Sequence, residues 1–140
     1  DALVMTAAVA DFRPEAVSQS KMKKDPTNEE APTIRLVRNP DILAEIGRSK
    51  KRPPLVIGFA AETGTDEEIL AYGADKAARK GADFICLNRV GTGVGFGDVS
   101  NDIRILNANG HIVGHYVGSK DEVAAGLVGH VASFLDNLKW

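Results

Sequence analysis

The sequence has a single cysteine in 140 residues, Cys86, so no disulfide can join two points of this chain. That cysteine lies in the apolar run Phe84-Ile85-Cys86-Leu87 and reads as a core residue of a protein kept in a reducing compartment. A surplus of either charge is also missing. Lys and Arg number 17 against 19 Asp and Glu, a formal net charge of −2, which gives the whole chain no electrostatic case for nucleic acid. No apolar stretch reaches transmembrane length and no basic-then-apolar leader is present, so no membrane partner is expected and the cytoplasm is the expected location. There is no P-loop. His111, His115 and His130 show no metal-ligand spacing with cysteine, which argues against a zinc site. Ser–His–acid nucleophilic catalysis has no sequence handle, and neither internal repeats nor low-complexity tracts occur.

What is present alternates between strand and helix patterns. Ala2 to Ala7 is a short continuous apolar run, as expected of a strand buried on both faces of a parallel sheet. From Asp11 to Pro32 neither period survives, and the composition of Ser, Gln, Lys, Asp, Pro, Asn and Glu predicts a long exposed flap or lid. Thr33 to Arg38 alternates like a half-exposed strand. Asn39-Pro40-Asp41-Ile42 reads as a helix start, with Asn39 as N-cap, Pro40 at the first helical position and Asp41 in the first turn. A second buried strand follows at Leu55 to Ala60. Thr65 and Glu68 have capping-box spacing for a helix that Gly81 ends, and Asp83 to Leu87 is a third strand. Asn109-Gly110 between two alternating runs, Ile103 to Leu106 and His111 to Val117, signals a hairpin. Ser119 and Glu122 cap a last helix carrying Val123, Leu127, Val131, Phe134 and Leu138 at helical spacing. The pattern predicts one α/β domain of 140 residues with a mostly parallel sheet, a C-terminal β-hairpin, and a flap over about residues 12–38.

Four clusters fall at strand ends or helix starts, where such domains bind ligands. Asp11 ends the first apolar run, Pro14 bars a helix, and Lys21, Lys23 and Lys24 follow. One carboxylate with mobile ammonium groups suits a polyphosphate and its metal ion, while a strand followed by a solvated basic loop would look the same. Asn39 to Ile42 reads either as an ordinary cap or as backbone N–H groups facing an anion or a base edge. In Gly58-Phe59-Ala60-Ala61-Glu62-Thr63, Phe59 is either core or the cover of a planar ring, and Glu62 has the chemistry to hold a hydroxyl or a metal-bound water. Lys76 and Lys80 share one helical face at i and i+4, fitting either a solvated surface or a polyphosphate between them. The run Gly91 to Gly97 has glycine at every second position and no helix after it, so it reads as a mobile loop and not as a dinucleotide fingerprint.

Taken together, Ala7 to Pro14, Lys21-Met22-Lys23-Lys24, Asn39-Pro40-Asp41-Ile42, Gly58 to Thr63 and Phe96-Gly97-Asp98 through Asn101 stand in one order over nearly the whole chain. In that order they resemble the phosphopantothenoylcysteine synthetase family, particularly the CTP-using bacterial form fused to a flavin decarboxylase. The resemblance implies a three-layer Rossmann-like fold and a ligase of coenzyme A biosynthesis. It joins 4'-phosphopantothenate to L-cysteine through an acyl-cytidylate, with Mg2+ and release of pyrophosphate and CMP. Carried over, Lys21 closes over the triphosphate as the catalytic residue, and Asp11 contacts the nucleotide and its metal. Asn39, Pro40, Asp41, Ile42 and Phe59 hold the cytidine, and Lys76 and Lys80 grip the phosphates. FMN would belong only to an attached decarboxylase half. The family is dimeric, and the flap from Glu15 to Arg38 is the expected subunit contact. The family's glycine-rich nucleotide segment and an asparagine that handles the acyl-cytidylate have no counterpart here, so the chain is expected to be part of a longer protein. An ATP-using relative and a catalytically incomplete nucleotide-binding or dimerising fragment remain as alternatives.

Overall fold

In chain order the elements are β1 (Ala2–Met5), β2 (Phe12–Pro14), β3 (Leu36–Arg38), α1 (Ile42–Gly47), β4 (Leu55–Glu62), α2 (Asp66–Lys80), β5 (Phe84–Arg89), β6 (Asn101–Asn107), β7 (Ile112–Gly118) and α3 (Lys120–Asn137). These come from a computed structural model that describes residues 1–24, 26–27, 30–91 and 100–137. The chain divides into two compact units, Asp1–Thr6 with Ile42–Trp140, and Ala7–Asp41.

The larger unit is built on a sheet of order β1-β4-β5-β6-β7. β1, β4 and β5 pair in parallel, and β6 and β7 each pair antiparallel with the strand before. β7 therefore runs with β1, β4 and β5, and four of the five strands share one direction. Alternation along β4 divides the core in two. Val56 and Ala60 pack with Leu43, Ile69, Ala77, Ile85 and Leu87 under α1 and α2. Leu55 and Ile57 pack with Phe84, Cys86, Ile103, Ile105, Val123 and Leu127 under α3. The result is three layers, helix on sheet on helix. Burial in this core pushes the Cys86 thiol up to about 12.

The helix signals act as their chemistry requires. Thr65 accepts from the Glu68 N–H, and the Glu68 carboxylate accepts from the Thr65 N–H at 2.9 Å. Gly81 ends α2 in the left-handed region at φ 62°, where a side chain would be strained. Ser119 and Glu122 form the same reciprocal pair at the start of α3. The hairpin turn is longer than a two-residue loop. Asn107 N–H donates to the His111 carbonyl, the Asn107 carboxamide accepts from two backbone N–H groups in the turn, and Gly110 supplies φ 80°.

Three expectations are corrected. β1 is not buried on both faces. Within the described residues it has one neighbour, β4, and Ala2 and Val4 are exposed while Leu3 and Met5 are half-buried. Second, the stretch from Asp11 to Pro32 is not wholly irregular, because β2 pairs antiparallel with β3. The paired part of the Thr33–Arg38 run is only Leu36–Arg38, and Pro14 sits at the strand end, where its missing N–H is tolerated. Third, Asn39 is not the N-cap of α1, which starts at Ile42. Most of the glycine-rich run (Thr92 to Gly97), the motif residues Phe96 to Asp98, and Leu138 lie outside the described residues.

Candidate functional site

In the larger unit the polar groups gather where β4 and β5 end. Phe59 points to the α3 side of the sheet, half-buried against the cluster of Ile57, Cys86 and Ile103. Asn88 follows two residues after Cys86 on β5 and so faces the same side, in register with Ala61 and Ile103. Its Oδ1 is buried and accepts no hydrogen bond among the described residues. An orphaned amide oxygen of this kind costs stability, and a strand end beside an aromatic ring is where a ligand would satisfy it. Asn88 escaped the sequence reading because an isolated Asn at the end of an apolar run carries no motif.

The other face carries charge. Lys76 Nζ stands 3.6 Å from Glu62 Oε1, the last residue of β4, with the two side chains 27% and 28% exposed. Glu62 is in register with Arg89, whose guanidinium reaches Asp66 at 3.2 Å. Arg104 holds the second oxygen of Asp66 at 3.1 Å, and Asp102 pairs with His115 at 2.7 Å. The Arg104 hydrogen bond and charge, helped by Arg89, hold the Asp66 carboxyl below the usual range. α2 returns the chain from the end of β4 to the start of β5, so its last turn, with Lys80, lies toward the amino edge of the sheet. There the backbone of Lys80 packs tightly against Gly47, and Arg48 and Arg52 donate to the carbonyls of Arg79 and Gly81. The structure thus brings Lys76 to Glu62, sets Lys80 one turn further away, and puts Phe59 on the opposite face from both.

In the smaller unit every described residue is exposed apart from half-buried Val37 and Asn39. Asn39 closes its base. Its backbone N–H donates to the Asp11 carbonyl at 2.8 Å, and its Nδ2 donates to the Ala10 carbonyl at 2.7 Å. Its Oδ1 accepts from Arg13 Nη1 at 2.9 Å, and the same nitrogen donates to the Arg38 carbonyl at 3.0 Å. Glu15 N–H donates to the Arg35 carbonyl, continuing the β2–β3 pairing. The carboxylate of Asp11 and the ammonium of Lys21 are exposed and make no hydrogen bond or ion pair among the described residues. Pro40 and Asp41 complete this unit, and Ile42 opens α1 in the other. Among the described residues no group of three or more His, Cys, Asp or Glu could enclose a metal ion. A lone carboxylate such as Asp11 fits an ion of the Mg2+ kind, which arrives with phosphate oxygens and keeps most of its ligands outside the protein.

These features define a Rossmann-like α/β domain with polar and charged side chains at the carboxyl edge of its sheet. Residues 1–135 match the family of the DNA/pantothenate metabolism flavoprotein C-terminal domain, and the chain belongs to that family. It is 41% identical over 141 residues to the coenzyme A biosynthesis bifunctional protein CoaBC of Mycobacterium tuberculosis H37Rv, covering 96% of this chain and 33% of the relative. The protein of the same name from Escherichia coli K12 is 41% identical over 105 residues, covering 74% of this chain and 25% of the relative. The chain therefore spans about a third or less of the length of these curated relatives. Its fold also matches the crystal structure of the DNA/pantothenate metabolism flavoprotein from Streptococcus pneumoniae. The TM-score is 0.70 at 17% identity, over 95% of this chain and 63% of that one. No helix among the described residues is long and apolar enough to cross a membrane.

Proposed function

We propose that this chain is the ligase part of a coenzyme A biosynthesis enzyme, joining 4'-phosphopantothenate to L-cysteine with CTP. Membership of the family and the name shared by its relatives support the pathway. The observation that carries the chemistry is the state of two motif charges. Asp11 and Lys21 lie in one unit, exposed and without side-chain partners among the described residues. A carboxylate and an ammonium left unpaired in this way are free to meet a metal-bound triphosphate.

In the proposed reaction a carboxylate oxygen of phosphopantothenate attacks the α-phosphorus of CTP. The bond from that phosphorus to the bridging oxygen breaks, and pyrophosphate leaves with the electron pair. The cysteine amine then attacks the acyl carbon of the cytidylate, loses a proton, and expels CMP. Crowded negative charge is the obstacle in the first step, and fixed or mobile cations lower it. Lys21 supplies a flexible point charge to the triphosphate, and Lys76 a second one on leaving Glu62. Lys80 adds charge further along the same helix. Bound Mg2+ would neutralise phosphate oxygens, with Asp11 as its protein ligand. Phe59 covers the base, Asn88 offers it the unsatisfied amide oxygen, and Asn39, Pro40, Asp41 and Ile42 contribute backbone groups. The smaller unit, which exposes Phe12, Val17, Met22, Ile34 and Leu36, has too little core to be covered by itself and is the proposed homodimer contact.

The test is pyrophosphate release by the full-length protein with phosphopantothenate and either CTP or ATP, before cysteine is added. Release with CTP is expected. Release with ATP alone assigns the ATP-using alternative, and tight CTP binding without release assigns a nucleotide-binding or dimerising fragment.

A further inference from the structure

We infer that Arg13 is a positioning residue of the nucleotide site, acting with Asn39 as a lock that fixes the backbone on which Asp11 is presented. This rests on the nucleotide reading above and extends it to a residue which that reading leaves without a role.

The bonds in this region are arranged asymmetrically around Asp11. Its main chain is held on both sides. The Asp11 carbonyl accepts the Asn39 N–H at 2.8 Å, and the carbonyl just before it, on Ala10, accepts Asn39 Nδ2 at 2.7 Å. Its side chain is not held at all among the described residues. Glu68 and Glu122, by contrast, spend their carboxylate oxygens on N–H groups at the helix starts. Asp11 has a fixed base and a free tip, which is the arrangement of a group kept ready for something outside the chain.

The lock depends on Arg13 because an asparagine carboxamide can rotate. Arg13 Nη1 takes Asn39 Oδ1 at 2.9 Å, which turns the Nδ2 end toward Ala10. The same nitrogen also donates to the Arg38 carbonyl at 3.0 Å, tying the amide to the neighbouring strand β3. A charged donor makes the stronger kind of hydrogen bond. One guanidinium nitrogen therefore joins β2, β3 and the Asn39 side chain, and it does so two residues from the carboxylate it serves. Lysine could supply the charge, but its single tetrahedral head on a flexible stem orients the amide less firmly than the planar guanidinium.

Two measurements on the full-length protein test this. The first needs no nucleotide: amide exchange of Asn39 should be slow in the wild type and faster in Arg13→Ala, with Arg13→Lys between them. Fast exchange of that amide in the wild type, or no change in Arg13→Ala, overturns the lock. The second is calorimetric titration of CTP with Mg2+. Arg13→Ala should weaken binding about tenfold, the order expected for one charge-assisted bond acting indirectly. In an Asp11→Asn background the same change should cost less than about twofold, since the group it positions is gone. An undiminished loss in that background shows that Arg13 acts elsewhere and overturns the proposal, as does wild-type affinity in Arg13→Ala. Failure of the wild type to bind CTP while Asn39 stays protected is a different result: the lock exists, but the nucleotide reading falls and takes the positioning role with it.

Discussion

Lys76 Nζ and Glu62 Oε1 face each other at 3.6 Å, a charge pair too long for a strong hydrogen bond and only about a quarter exposed. The pair ties the middle of α2 to the last residue of β4. A phosphate group at the strand end would compete with Glu62 for that ammonium. Lys76→Ala is therefore expected to weaken binding of CTP roughly 10- to 100-fold, the worth of a hydrogen bond to a charged group. Cytidine, which lacks phosphates, should lose little. Calorimetry with both ligands checks this, and equal losses for the two would show that Lys76 matters only to the fold.

The capping boxes make a pH prediction with a definite sign. Hydrogen bonds from Thr65 and Ser119 hold the carboxyl groups of Glu68 and Glu122 below their usual range. A carboxylate with a lowered folded pKa contributes stability that is complete above its unfolded value. That stability is lost as pH falls through the folded value. Thr65→Ala should cost about 1 kcal/mol near neutral pH. The gap between the urea midpoints of the wild type and the variant should narrow without vanishing on acidification below the ordinary glutamate range, because the Thr65 hydroxyl accepts from the Glu68 N–H at any pH and donates to the Glu68 carboxylate only when that group is ionised. A gap that stays constant with pH would contradict the bond from the Thr65 hydroxyl to the Glu68 carboxylate.

Two glycines on α3 should respond in opposite directions. A methyl group at Gly126 would meet Tyr116 ring carbons from 2.3 Å, whereas one at Gly129 would meet nothing within 4 Å. Gly126→Ala overpacks the helix against β7 and is expected to destabilise by about 1–3 kcal/mol. Gly129→Ala gains helix propensity at no steric cost and should stabilise by about 0.5–1 kcal/mol. Thermal denaturation of the two variants side by side reads both signs.

The smaller unit makes a prediction about assembly. Its strands pair with each other, yet Phe12, Val17, Met22, Ile34 and Leu36 remain exposed. Replacing residues 15–35 by a short flexible linker should convert the proposed homodimer of the full-length protein to monomer in sedimentation velocity. An unchanged dimer would assign subunit contact to another surface.

The alternation of strands and helices was legible because each signal was local. Thr65 with Glu68, Gly81, and Ser119 with Glu122 lie within one turn of the ends they mark, and Asn109-Gly110 lies within its hairpin turn. The buried runs at Leu55 and Phe84 owe their continuity to neighbours on both sides, as their composition implied. β2 was not legible. Three residues ending in proline show no period, and the strand exists because Leu36–Arg38 returns beside it from far along the chain. Asn39 misled for a related reason. Asn before Pro has the chemistry of a cap, but its amide found the carbonyl of Ala10 and the guanidinium of Arg13 instead. At the candidate site, spacing alone put Lys76 and Lys80 on one helical face. It could not show that one of them would find Glu62 and the other would sit a turn nearer the amino edge of the sheet.

The proposed transfer of a cytidylyl group by this fold depends on Lys21 as the closing charge. Its most direct test is pyrophosphate release in a single turnover of the full-length protein with CTP, Mg2+ and phosphopantothenate, wild type beside Lys21→Ala. The wild type should release about one equivalent. Lys21→Ala should keep the fold and do so about 10²–10³ times more slowly, the usual cost of one preorganised charge contact. Equal rates for the two proteins, or no pyrophosphate from the wild type, would contradict it.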